Sequence, residues 1–299
     1  MDNLRILLQA PILNLQLVAD GVLVGSVFGL AAFGMALVWG VTNLINVAQG
    51  ELVMLGGYVA VYAATAGLHP LLAVPVAFAV LWAFGWALYR LVVHRVVGRD
   101  PFISILATFG LSILLQQAAN QLFGANLRSA ASGLGTLSLA GGRISISEIK
   151  LVAFVAAVLL GLSLTLFLVR SRLGQAIRAA AQNARAARIL GIDTDRVYAA
   201  TFALNAGICG AAGALVAMTW VIQPYLGLPY TVRSFMIVVV AGVGNVLGIL
   251  AAAAILGTVE QYAGFVLGAQ FQTGFLFSLL VVILVARNEL LKRQRRRLA

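Results

Sequence analysis

Acidic side chains, lysine and cysteine are almost missing from this chain. Nine Asp and Glu and only two lysines, Lys150 and Lys292, occur in 299 residues. Charged residues make up 10%, against about 25% in an ordinary soluble domain, and hydrophobic residues 62%, against about 45–50%. So little charge cannot cover a water-facing surface, and lipid removes that need. The single cysteine, Cys209, excludes an intrachain disulfide and any scaffold built on one. Set in an apolar stretch, it reads as a small packing residue. Neither lysine follows a glycine, so the phosphate-cradling pattern G-x-x-x-x-G-K-[ST] is absent. Any ATP that drives this protein is therefore expected on another subunit. No serine or cysteine has a visible base beside it, which leaves no case for hydrolysis. His69 and His94 stand apart, without ligands at metal spacing, so neither a metal site nor a cofactor is expected.

Positive charge is present, and its placement matters more than its sum of +11. Arg90, Arg95 and Arg99 form one cluster. Six arginines lie between Arg170 and Arg196, and six more bases between Arg287 and Arg297. The long apolar runs hold almost none. Such clustering marks the cytoplasmic side of a membrane protein and argues against nucleic acid.

A helix needs about 20 residues to cross roughly 30 Å of hydrocarbon. Eight apolar runs qualify: 17–40, 52–66, 71–93, 102–123, 150–169, 199–221, 246–265 and 270–286. A shorter run, 232–241, precedes Gly242. Uniformly apolar runs read as spanning helices, because an outer-membrane strand would alternate every second residue. The expected fold is an all-α polytopic transmembrane helix bundle of eight spans plus a possible short or broken helix. The chain 1–299 reads as one transmembrane domain with an inner loop at 170–198 and a basic tail at 287–299. Parity from the basic clusters places residues 124–149 outside and the C-terminus inside. The short run must count as its own crossing for that parity to hold. No cleavable-signal pattern is evident at the N-terminus, and the first 15 residues lie on the membrane surface or begin a helix.

Three segments interrupt the apolar pattern. Thr42 to Glu51 carries two Asn, a Gln and a Glu between hydrophobic runs. Such groups at membrane depth are costly unless paired or lining a wet path, and broken helices near a substrate path supply them in transporters. An interfacial loop with a helix cap is the plainer reading. Gly242-Val243-Gly244-Asn245-Val246-Leu247-Gly248 reads as close helix packing or as a helix break. From polarity, Asn43, Asn46, Gln49, Glu51, Gly242, Gly244 and Asn245 are the candidate lining of a translocation path. The third segment, Arg170 to Tyr198, is rich in Ala, Arg and Gln and predicts a short helix outside the membrane, ended near Gly191. Glu260 reads as facing a neighbour or the interface, or as a proton relay. Asp20 reads as opening a helix, and Arg233 as interfacial.

These segments resemble the permease subunit of bacterial branched-chain amino acid ABC transporters of the Liv type. The resemblance runs from about residue 17 to 287. It rests first on Gly25-Ser26 through Gly34, Trp39-Gly40-Val41, Asn46-Val47-Ala48-Gln49-Gly50-Glu51 and Met54 to Tyr58. Ile105 to Ser112 follows, then Leu173 to Ala179 with Ala187 to Ile192. Pro224, Gly227 and Ala241 to Gly248 complete it. The family usually carries N-[FL]-A-H-G-E, where this chain has Val47 and Gln49. The resemblance implies a bacterial inner-membrane importer in which a second, homologous permease pairs with this one. Two ATP-binding subunits dock beneath, and a periplasmic substrate-binding protein delivers the solute. It also implies that Gly174, Arg178, Ala179 and Gly191 form the element that couples to the ATPases. The Gln49 departure keeps open a permease for urea, short amides or another small polar solute. An ion-driven secondary transporter would need charged relays, for which only Glu260 and Glu51 are candidates.

Overall fold

The computed structural model describes residues 7, 9–130, 133, 135–139 and 144–298, and the side chains of these except 269, 288 and 290–298. Eleven α-helices follow in order among the described residues. They are α1 (Pro11–Thr42), α2 (Gln49–Thr65), α3 (Pro70–Leu91), α4 (Pro101–Phe123), α5 (Glu148–Arg170) and α6 (Arg172–Gln182). Then come α7 (Ala184–Ile189), α8 (Thr194–Thr219), α9 (Gly227–Ala241), α10 (Val246–Leu267) and α11 (Gln272–Leu298). Seven helical stretches are long and apolar enough to cross a membrane, and Gln272–Arg287 is a shorter apolar one. The protein is a multi-pass, all-α bundle.

Prolines start three of the spans. Pro11, Pro70 and Pro101 each sit in a first turn, where the missing N–H costs no hydrogen bond. His69 and Asp100 cap α3 and α4 by accepting from the backbone N–H groups of Leu71 and Phe102. Helix α1 starts earlier than its apolar run. Asp20 therefore lies ten residues inside the helix and does not open it. Its charge is met instead by Lys150 at 2.8 Å, at the start of α5.

Helices α1 and α8 form the centre, each with 94% of its most apolar window buried, whereas α5 has only 17% of its window buried. Helix α8 is central because it is built from small residues. A Cβ added at Gly210 would sit 2.5 Å from Ala77 O, and one at Gly213 would sit 1.9 Å from Val53 O. Helices α3 and α2 therefore approach α8 at backbone distance, the packing that small residues allow where lipid supplies no hydrophobic drive.

Two helices follow irregular backbone. Helix α2, which covers the run 52–66, has 17 residues, begins only after the irregular stretch 43–48 and is not among the stretches long and apolar enough to cross. Helix α9 has 15, preceded by an extended stretch and the 3-10 turn Pro224–Leu226. With that turn, α9 belongs to an 18-residue stretch, Pro224–Ala241, that is long and apolar enough to cross and contains the short run 232–241. Residues 124–149 are not a plain loop. They hold an antiparallel hairpin, β1 (Thr136–Leu139) with β2 (Ile144–Ser147), pairing Thr136 with Ser147 and Leu139 with Ile144.

The basic segments gather at one end. Val41 to Asn43, His94, Arg99, Gln182, Asn183 and Arg188 line one cavity of about 480 Å³. Arg178, Gly244 and the end of α1 line a neighbouring one of about 470 Å³. Arg287 of α11 donates to Val239 O near the end of α9. The remaining tail bases, Lys292 to Arg297, continue α11, and their side chains lie outside the described residues. The hairpin and Arg128 lie at the opposite end.

Candidate translocation site

The polar break between α1 and α2 folds back into the bundle. Helix α1 ends at Asn43, whose left-handed backbone (φ 53°) turns the chain while its N–H still donates to Trp39 O. Asn and Asp tolerate that conformation better than other side chains do. The next residues climb back toward mid-depth. By Gln49 the chain touches Ala31 and Asn205, each eleven residues, or about 16 Å of helix rise, from the basic end of its own helix.

The buried amides satisfy each other. Gln49 Nε2 donates to Asn205 Oδ1 at 2.9 Å, and Asn205 Nδ2 returns a bond to Gln49 Oε1 at 3.0 Å. Gln49 Nε2 also reaches Ala31 O at 2.9 Å and Cys209 Sγ at 3.0 Å. Asn46 Oδ1 accepts from the Ala48 N–H at 3.1 Å, fixing the turn into α2. Asn46, Gln49 and Asn205 are all buried.

Two threonines clamp the irregular backbone. Thr108 Oγ1, from α4, accepts from Val47 N–H at 3.2 Å and lies 3.2 Å from Ile45 O. Thr231 Oγ1, from α9, accepts from Gly50 N–H at 2.8 Å and donates to Val47 O at 2.9 Å. These are donors and acceptors that lipid could not replace, so α4 and α9 are drawn onto the break.

Glu51 sits where two helix beginnings meet. It lies in the first turn of α2, and its carboxyl packs on Gly227, the first residue of α9. A Cβ at Gly227 would lie 2.2 Å from the Glu51 Cδ, so only glycine fits. The two helices run from this point toward opposite ends of the bundle. Both N-termini therefore present their positive dipole ends to one carboxyl group. Ser112 Oγ donates to Glu51 Oε1 at 3.0 Å. Glu51 Oε2 is buried and has no hydrogen-bond partner among the described residues.

The candidate path residues thus divide. Asn46, Gln49 and Glu51 meet at mid-depth. Asn43 lies below them at the mouth of the 480 Å³ cavity. Gly242, Gly244 and Asn245 are elsewhere, in the turn between α9 and α10. Val243, Gly244 and Asn245 are exposed. Gly242 and Gly244 adopt φ of 83° and 86° with no neighbour near their Cβ positions, so the motif is a helix break and not a packing seam. Asn245 caps α10 by accepting from Gly248 N–H at 3.0 Å. The structure does not bring this turn to the polar cluster.

The loop predicted as one helix forms two. Asn183 is extended and caps α7 through Ala186 N–H, so the chain breaks there. Ser171 caps α6 through Gly174 N–H at 2.8 Å. Gly174 lies against the backbone of Phe167 and Leu168, where a Cβ would come within 2.5 Å. Arg178 is exposed, with Nη2 on Val169 O at 3.2 Å, and Ala179 is half-buried beside it. Gly191 ends α7 with φ 83°, and Ile192 N–H reaches back to Ala187 O, a Schellman closure. Just before it, Ile189 and Leu190 are each 80% exposed, an apolar tip beside arginines.

Several residues were not visible as site members in the sequence. Asn205 is a lone amide in an alanine-rich run, and a polar group in such a run was the available signal. Thr108 and Ser112 lie within a motif already noted, but nothing in their spacing says that they face Val47 and Glu51. Arg233 is not interfacial. It lies inside α9 and holds Glu260 of α10, Nε to both carboxyl oxygens at 2.9 and 3.1 Å.

Comparison with known proteins agrees with this architecture. Residues 17–286 match the family described as branched-chain amino acid transport system / permease component. The high-affinity branched-chain amino acid transport system permease protein BraD of Pseudomonas aeruginosa is 31% identical over 289 residues, covering 91% of this chain and 94% of BraD. LivH of Escherichia coli K12, with the same description, is 31% identical over 285 residues, covering 91% and 92% of the two chains. A probable branched-chain amino acid transport permease protein LivH of Methanocaldococcus jannaschii is 28% identical over 272 residues, covering 87% and 85%. No solved structure matches. The chain belongs to the family of branched-chain amino acid transport system permease components.

Proposed function

We propose that this chain is the membrane-spanning permease of an ATP-driven importer of branched-chain amino acids in a bacterial inner membrane. The observation that carries the reading is the polar seam of Asn46, Gln49, Glu51 and Asn205, held at mid-depth where α2 and α9 begin. A continuous helix needs no such groups. A path for a small polar solute does. The cavity at Asn43 lies at the basic end, which the positive-inside rule assigns to the cytosol along with the C-terminus.

The partners are those that membership of this permease family implies: two ATP-binding subunits supply the energy, in keeping with the absence of a phosphate-cradling pattern from this sequence. Helices α6 and α7 offer them Arg178, Arg185 and the apolar pair Ile189 and Leu190. A second permease completes the path, and a periplasmic binding protein delivers the solute. Helix α6 packs on the ends of α1 and α8 and lines the cavity below Asn43, so movement at the docking face reaches the path directly. To drive the cycle, the ATPases must bind one arrangement of this element more tightly than the other. Glu260, bound to Arg233, is not a free carboxylate awaiting a proton, which argues against ion-driven transport.

The test is uptake by the complete complex reconstituted in liposomes. ATP-dependent, binding-protein-dependent entry of leucine, isoleucine or valine is the expected result. Uptake by this chain alone on an ion gradient refutes the reading.

A further inference from the structure

We infer that Arg233 is the receptor for the solute's carboxylate. The inference rests on the importer reading above and names the residue that would make it specific for an acid.

Three observations support it. The first is depth. Arg233 is the only base in the apolar stretch Pro224–Ala241, nine residues from one end and eight from the other. Gly227 meets Glu51 at the seam, so Arg233, six residues further along α9, lies about 9 Å of helix rise from it, inside the bundle.

The second is what the guanidinium does and does not bind. Its one hydrogen-bond partner among the described residues is Glu260, buried at 2% side-chain exposure, and both Glu260 oxygens accept from Nε. The two Nη groups donate to nothing among the described residues. They are also absent from the enclosed, unpaired atoms, Glu51 Oε2, Tyr58 Oη and Ser234 Oγ, and the Arg233 side chain keeps 13% exposure. The fork is thus anchored by its stem, and its outer edge reaches accessible space. Guanidinium N–H groups at this depth need an acceptor, because hydrocarbon offers none. A carboxylate fits two parallel N–H donors better than any other small anion group an amino acid carries.

The third is the wall around the fork. The guanidinium carbon lies 4.7 Å from the Phe28 ring centre and 5.3 Å from that of Tyr230. Phe28 in turn stacks on Trp220, with ring centres 6.4 Å apart. The rings give the fork an apolar border, suited to an aliphatic side chain. Helix α9 also carries Gly227 and Thr231 onto the polar seam, so one short helix would hold the carboxylate site and close the seam.

A buried ion pair that only holds α9 to α10 would show many of these features, so the experiment must separate the two roles. Uptake and thermal stability of the reconstituted complex would be measured for Arg233→Gln, Glu260→Gln and the double exchange Arg233→Glu with Glu260→Arg. The exchange restores an ion pair but moves the guanidinium onto α10. The expected result is a fall of about tenfold or more in the uptake rate for Arg233→Gln, the scale of losing one charged hydrogen-bonded contact. The exchange regains stability while uptake stays at the Arg233→Gln level. Recovery of uptake in the exchange, or wild-type uptake in Arg233→Gln, overturns the inference. The solute distinguishes this inference from the reading beneath it. If the wild-type complex imports a different carboxylic acid and the exchange still fails, Arg233 keeps its role and the branched-chain assignment falls. If it imports an uncharged solute and Arg233→Gln is silent, both fall.

Discussion

The two helix breaks of this chain look alike in sequence and differ in the folded protein. The stretch Asn43–Ala48 returns to the centre of the bundle, and its backbone groups are received by Thr108 and Thr231. The stretch Gly242–Asn245 stays at one end as an exposed turn, and its one side-chain bond is the local cap from Asn245. Glycine lets a helix stop anywhere. A break survives inside a membrane protein only where other helices supply donors and acceptors. The first break is therefore expected to carry transport and the second to carry connection.

The sharpest test of that contrast is Gly227→Val. Any side chain at this position must displace the Glu51 carboxyl, because the Cβ alone would lie 2.2 Å from it. Near-complete loss of uptake is expected, with a lower melting temperature for the purified chain. A valine variant with normal stability and uptake would mean that α2 and α9 do not need to touch.

Gln49→Leu comes next. It strips Asn205 of both its bonds to the Gln49 amide and leaves Ala31 O without that donor. The cost in stability is about 1–2 kcal/mol for the stranded groups, at the upper end for hydrogen bonds between membrane helices. Uptake should fall more than stability does if the seam serves transport. A parallel, small fall in both would return the pair to simple helix glue. Adding Asn205→Leu should recover part of the stability, since neither amide is then left without the other, while uptake stays low.

Much of the fold was legible because lipid leaves the chain few choices. Long apolar runs became helices, arginine clusters gathered at one end, and the short run 232–241 fell within Pro224–Ala241, a stretch long and apolar enough to cross. The stop at Gly191 followed from local chemistry. The site was half legible. Asn46, Gln49 and Glu51 announced themselves by polarity within an apolar setting. Their partners did not, because the contacts of Gln49 with Asn205 and of Glu51 with Ser112 span 156 and 61 residues. Local pattern carries no information on which helices become neighbours. Asp20 and Arg233 were misplaced for the same reason. Each was read against the nearest helix end, while its real partner, Lys150 or Glu260, lies on another helix.

A smaller and more selective effect is expected from Arg178→Glu on α6. Arg178 is exposed, and its own contact is one bond to Val169 O, so the fold should tolerate the change. Surface positions of this kind usually shift stability by less than about 0.5 kcal/mol. The reversed charge should nevertheless weaken the docked ATPase and lower uptake relative to ATP hydrolysis. Equal uptake per ATP in variant and wild type would show that coupling runs through other residues of α6 and α7.

The smallest effect belongs to the second break. Asn245→Ala removes the cap that accepts Gly248 N–H, a loss of about 1 kcal/mol or less at an exposed helix start. Nothing from α2, α4 or α8 touches that side chain through a hydrogen bond, so the path should not sense it. A melting temperature lowered by a few degrees, with uptake unchanged, is the expected pair of readings. Uptake that falls as far as in Gln49→Leu would place the glycine turn in the path after all. It would then follow that a break can serve transport from the basic end of the bundle without buried partners to hold it, and the distinction between the two interruptions would dissolve.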